Sequence, residues 1–108
     1  MAVLTNNSTG AAALATTITF TTGQALDEVR LHLSANGGSA ENFTITLDAL
    51  AGSAYDVLLF SQDMNTTADV IYRPDRPAEF VNGDKLVFAY NNGNTRTWGL
   101  EIKLLARQ

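Results

Sequence analysis

The sequence predicts an all-β protein: a single antiparallel β-sandwich, jelly-roll-like, of about seven or eight strands. Three observations predict it. Apolar residues recur at every second position in one run after another, which is the period of a strand with one buried face. The runs are short and return about every ten residues, with Gly, Asn, Ser and Asp between them. No window repeats its apolar residues at the helical period of about 3.6. An immunoglobulin-like sandwich is the nearest alternative. The chain has no cysteine, so it lacks the pair usual in such domains, but many of them do without it.

Taken in order, residues 1–13 are small and polar after Val3 and Leu4, and read as an extended N-terminal arm, with a loose tail or a first edge strand as the plainer reading. Residues 14–108 form the sandwich domain. From Leu14 the pattern turns strand-like, with Ile18 and Phe20 between Thr17, Thr19 and Thr21; Thr suits a pleated surface. Gly23-Gln24 interrupts this run. In Ala25–Ser34, Val29, Leu31 and Leu33 alternate with Glu28, Arg30 and His32. A loop, Ala35-Asn36-Gly37-Gly38-Ser39, leads to Asn42–Asp48, where Phe43, Ile45 and Leu47 point inward. This pair of runs reads as a hairpin or as a crossing between sheets.

Tyr55–Gln62 is apolar on both sides, with Tyr55, Val57 and Leu59 on one face and Leu58 and Phe60 on the other. Such a strand is central or has its outer face covered by a partner. Ala68–Arg73 is a shorter strand, with Val70 and Tyr72 opposite Ile71. Pro74 and Pro77 lack the N–H that a ladder needs, so they mark a connection or a sheet edge. Val81–Ala106 holds two apolar runs around Asn91-Asn92-Gly93-Asn94. It reads as a terminal hairpin that buries the only Trp. Phe43, Phe88, Trp98, Leu100 and Ile102 are the expected core anchors.

The chain has 108 residues and fits one domain. Its net charge is −4, and the seven basic residues are scattered with no two adjacent. Nucleic-acid binding, which needs a basic face, is not expected. Neither is docking to an anionic membrane. No apolar run approaches the roughly 20 residues that span a bilayer. The start lacks the basic stretch of a secretory leader, so none is expected.

The residues do not combine into a catalytic set, and the chain is not expected to be an enzyme. His32 is the single histidine and falls on the polar side of its strand. Gly-x-Ser-x-Gly is absent. The carboxylates lie in turns and at outward positions, not as a converging pair. Asp63–Asp69 places oxygen ligands at alternate positions, as calcium loops do. It lacks the Gly at the sixth position and the acid at the twelfth, which is Pro74, so it reads as a polar turn. No cofactor or metal is expected. Tyr55, Tyr72, Tyr90 and Trp98 could suggest a sugar-binding face, but Tyr90 and Trp98 lie on strands whose other positions read as core.

The run Asn82-Gly83-Asp84-Lys85-Leu86-Val87-Phe88-Ala89-Tyr90-Asn91-Asn92, followed by Thr97-Trp98-Gly99-Leu100-Glu101-Ile102, resembles small virion proteins of tailed bacteriophages. So does Asp27–Ser34 leading into Glu41–Leu47. The likeness covers roughly residues 25–105 and is one of pattern. It implies a structural protein of the capsid decoration (cement) type. Such a protein would sit on the outside of the phage head as a homotrimer, bridge the major capsid proteins and stabilise the shell. It would be made in the host cytoplasm and located on the virion surface. The alternative that the resemblance allows is a tail, baseplate or head-fibre module that binds a host glycan. Val3, Leu4, Leu58, Phe60 and Ile71 are the expected partner-binding residues, as apolar groups off the main core face; an exposed patch of this kind invites association.

Overall fold

Each long strand carries one apolar face, so the chain settles as two sheets with those faces together. The structure, a computed structural model, describes residues 2–21, 24–74, 78–80 and 82–106. Its strands are β1 (Ala2–Gly10), β2 (Leu14–Thr19), β3 (Gln24–Leu33), β4 (Asn42–Asp48), β5 (Val57–Asp63), β6 (Asp69–Tyr72), the two-residue β7 (Ala78–Glu79), β8 (Lys85–Tyr90) and β9 (Trp98–Ala106). A single 3-10 turn, Ser53–Tyr55, is the one helical element among the described residues. The first sheet runs β1-β9-β3-β6, with β7 also on β3; the second runs β2-β8-β4-β5.

All pairings are antiparallel, and they nest: β1 with β9, β2 with β8, β3 with β6, β4 with β5. A chain wound outside-in in this way is a jelly roll, the architecture expected from the sequence, and this strand order sets the immunoglobulin-like alternative aside. Phe43, Ile45, Leu86 and Phe88 from the second sheet meet Val29, Leu31, Leu100 and Ile102 from the first, all of them buried. Burying each such side chain contributes about 1.5–3 kcal/mol. The five expected core anchors are all in this interior.

Four expectations change. First, residues 2–10 do not stand off the sandwich as an arm. They are β1, an edge strand paired with β9 from Ala2↔Ala106 to Gly10↔Trp98. This is the edge strand of the plainer reading, and it covers the side of β9 that β3 leaves free. Second, β8 and β9 are not a hairpin. They belong to different sheets, and the Asn-rich joint carries the chain across the sandwich. Two strands that face each other across a core show the same alternation as two that lie side by side, so periodicity could not separate the cases. The turn chemistry itself holds, because Asn92 sits at φ 56.

Third, β5 does not keep one phase. Ile45 pairs with Phe60 but Thr46 pairs with Leu58, so Leu59 is an extra residue in a bulge. The bulge turns Phe60 toward the interior. Its ring packs edge-on to Phe43 at 6.3 Å and against Tyr72 at 5.0 Å. Fourth, β3 carries a matching irregularity between Leu26 and Glu28, with Asp27 extra. Leu26 and Val29, three apart, can therefore both point into the core. The breaks expected at Gly23 and Pro77 lie outside the described residues.

Candidate functional site

One end of the sandwich is a set of loops that bond to each other. Asn92 is its hub. Its side-chain amide donates to the carbonyl oxygens of Ala11 (3.2 Å), Ala12 (3.0 Å) and Arg96 (2.9 Å), and its Oδ1 accepts from the Arg96 backbone N–H at 2.8 Å. Asn94 donates to the Gly37 carbonyl and to Ser39 Oγ, and Arg96 Nε donates to the Asn36 carbonyl. The Glu41 carboxylate accepts from Asn91 Nδ2 and from the Gly93 N–H. The indole Nε1–H of Trp98 donates to the Ala12 carbonyl at 2.9 Å. Through these bonds this end works as a clasp that joins three loops.

The outer face of the first sheet is charged. Glu28 is buried under basic side chains: Arg73 Nε lies 2.5 Å from one carboxylate oxygen, Arg30 Nε 2.7 Å and Lys103 Nζ 3.4 Å from the other. The hydrogen bond from Arg73, aided by Arg30, holds the Glu28 carboxyl below its ordinary range against the opposing effect of burial. Beside this cluster an open trough of about 470 Å³ crosses the sheet, floored at Gly99 and walled by Asn7, Thr9, Arg30, His32, Asp69 and Ile71. His32 Nδ1 lies 2.5 Å from Asp69 Oδ1. The single histidine therefore has a carboxylate partner across the β3–β6 ladder, which its sequence neighbours do not predict. Both groups are exposed and Arg30 is engaged by Glu28, so these charged groups at the trough already have partners.

The opposite end and edge are apolar. Leu50, Tyr55, Val57 and Leu58 are all exposed, Tyr55 by 65 % and Leu58 by 58 %. They come from the β4–β5 connection and the start of β5. The 3-10 turn presents Tyr55, and the bulge behind Leu58 keeps that side chain outward beside Thr46. Asp84 Oδ1 accepts from the Leu50 N–H at 2.8 Å and fixes the loop to the turn before β8.

The residues expected to bind a partner do not come together. Leu58 points outward from the second sheet. Ile71, exposed and paired with Arg30, points outward from the first. Phe60 is between the sheets, which overturns its assignment to an outer surface. Val3 and Leu4 stand in β1, in register with Leu105 and Leu104; their side chains lie outside the described part of the structure. Leu50, Tyr55 and Val57 are also exposed near this end of β5, with Val57, in register with Leu47, on the opposite side of the strand from Leu58. The sequence reading set Tyr55 and Val57 on one face of the run and did not single out Leu50. The signal available was their density of large apolar groups beside Gly52 and Ser53. Tyr90 and Trp98 are buried, and Tyr72 is half-buried against Phe60, so Tyr55 is the one exposed aromatic ring among the described residues.

No protein-family model matches the sequence, and neither does any curated protein sequence. Among solved structures the fold is similar to the crystal structure of PirA, with TM-score 0.52 and 15 % identity over 92 % of each chain. A weaker likeness is to Aeromonas hydrophila PliG, a periplasmic lysozyme inhibitor of g-type lysozyme. Its TM-score is 0.40 and its identity 16 %, over 96 % of this chain and 85 % of that one. At these identities the likeness concerns the fold alone.

Proposed function

We propose that this chain is a structural virion protein of the capsid decoration type, which binds the outside of a phage head and stabilises the shell by bridging major capsid proteins. The observation that carries the reading is the exposed group Leu50, Tyr55, Val57 and Leu58 at one end of the sandwich, opposite a loop end that is polar and tied to itself. Large apolar groups gathered at one end of a small domain mark a protein-binding surface. The clasp at the other end and the ion cluster around the buried Glu28 on one face suit a rigid body that transmits load. The phage-like pattern of residues 25–105 supplies the nature of the partner. The mechanism is mechanical: each copy buries its apolar end across a joint between capsid subunits and raises the barrier to their separation.

The test is binding to expanded heads that lack this protein. Purified protein should co-sediment with them, appear as density on the outer surface in a particle reconstruction, and raise the temperature at which the heads rupture. Leu58→Asp with Tyr55→Ser should abolish binding and leave the protein's own melting temperature unchanged. Failure to bind, or density confined to the tail, overturns the reading.

A further inference from the structure

We infer that two copies of this chain pair edge to edge through β1, antiparallel about a two-fold axis at Asn6, so that their first sheets become one continuous sheet. The inference does not rest on the decoration reading.

The two lateral sides of the sandwich differ. On one side the edges are β5 and β6, stacked on each other through Phe60 and Tyr72. Both carry the devices that keep edges from pairing. β5 has the bulge at Leu59 and ends on Asp63. β6 is four residues long, begins on Asp69, and is followed by Arg73 and Pro74. On the other side the edges are β1 and β2, joined by residues 11–13. Neither contains a proline or a charge, and both pair with their inner neighbours without a register shift. In fact no Asp, Glu, Lys, Arg or His occurs before Asp27, so neither edge strand nor the link between them carries a charged side chain.

β1 is the longer of the two, with nine residues in unbroken register along β9. An antiparallel edge strand turns the N–H and C=O of alternate residues away from its sheet, where another strand can take them up. The occupant that fits is a second copy. The chain carries net charge −4, so self-association brings like charges together over most of the surface. Along β1 it does not. Antiparallel pairing over the whole strand sets Val3 against Thr9, Leu4 against Ser8, Thr5 against Asn7, and Asn6 against itself. Cross-strand pairs of Thr and Asn are compatible, and Thr5, Asn6 and Asn7 are exposed in the single chain. A contact of this kind is isologous and closes at two copies, not at the three that the phage resemblance implies. Perpendicular to the sheet, the same axis brings the two β2 edges toward each other beneath.

Three measurements on the full chain test this. Sedimentation equilibrium should give twice the chain mass of 11.6 kDa. Thr5→Lys with Asn7→Lys places lysine against lysine twice across the axis, and should return a monomer with an unchanged circular dichroism melt. Leu58→Lys, on the far side, should leave the dimer intact. The chain has no cysteine, so Asn6→Cys gives one thiol per copy. Directly opposed Cα atoms in an antiparallel pair stand about 4.5–5.5 Å apart, within disulfide reach. Mild oxidation should therefore cross-link Asn6→Cys rapidly and the β5 control Ser61→Cys slowly or not at all. A monomer at every concentration up to about 1 mM, the weak end of specific association, overturns the inference. So does a trimer, a dimer that survives the two lysines, or cross-linking at position 6 no faster than at position 61.

Discussion

The indole of Trp98 lies flat over Gly10, so close that a Cβ at position 10 would stand 2.8 Å from Cζ2. The ring cannot withdraw, because its Nε1–H is bound to the Ala12 carbonyl and its face is packed in the core. Gly10→Ala should therefore destabilise by about 1–3 kcal/mol through overpacking. Trp98→Ala should cost about 3–5 kcal/mol. Urea unfolding of both variants checks this, and a near-neutral Trp98→Ala would overturn the role of Trp98 as core anchor.

Glu28 predicts an acid-sensitive step. Its carboxyl is held below the ordinary value of 4.5, with the hydrogen bond from Arg73 as the largest cause. A carboxylate with a depressed folded pKa contributes stability that is fully present above its unfolded pKa. That stability is lost as pH falls through the folded pKa. The melting temperatures of wild type and Glu28→Gln should differ most near neutral pH and converge as pH drops below about 4.5. A difference that stays constant to pH 2 would show that the cluster acts through packing alone.

Asn92 predicts the strength of the clasp. Asn92→Ala removes two N–H donors shared among three carbonyl oxygens and one accepted bond at a buried site, and should cost on the order of 2–3 kcal/mol. Asn92→Asp should be worse than Ala near neutral pH, since it aims a carboxylate at three carbonyl oxygens. Thermal melts at pH 7 rank the two.

The bulge in β5 predicts a contrast between neighbours. Phe60→Ala should destabilise by about 2–4 kcal/mol, because its ring packs on Phe43 and Tyr72. Leu58→Ala should stay within about 0.5 kcal/mol, because Leu58 is exposed. Equal effects would mean that the strand keeps a single phase.

Much of this fold was legible because its strands are half-buried. Val29, Leu31 and Leu33 in β3, and Trp98, Leu100 and Ile102 in β9, announce their inward face by alternation alone. Pairing was harder to read. Nothing local in Val81–Ala106 says that β8 and β9 part to different sheets, because that choice is made by what β1, β2, β3 and β4 offer as neighbours. The phase of β5 was lost to one inserted residue, Leu59, since a period-two pattern inverts beyond any bulge. The candidate surface suffered most from this. Leu58 was placed correctly as an outward group and Phe60 was not, while the exposure of Tyr55 and Val57 was not foreseen. Ile71 was correctly outward but belongs to the opposite face. The His32–Asp69 pair spans 37 positions and exists only because β3 and β6 are neighbours.

The nesting of β1 with β9 also sets an order of events during synthesis. Ala2–Gly10 is synthesised before its partner, Trp98–Ala106, with the other strands of the sandwich made in between. While β2 to β8 are being made, β1 has no mate in its own sheet. A contact of such sequence separation is slow to form and leaves the early strand open to wrong partners while it waits. The same uncharged stretch that keeps β1 compatible with a second copy offers no repulsion then either. The demand on the chain is thus kinetic as well as thermodynamic: β9 must arrive and close the first sheet before neighbouring nascent chains find β1.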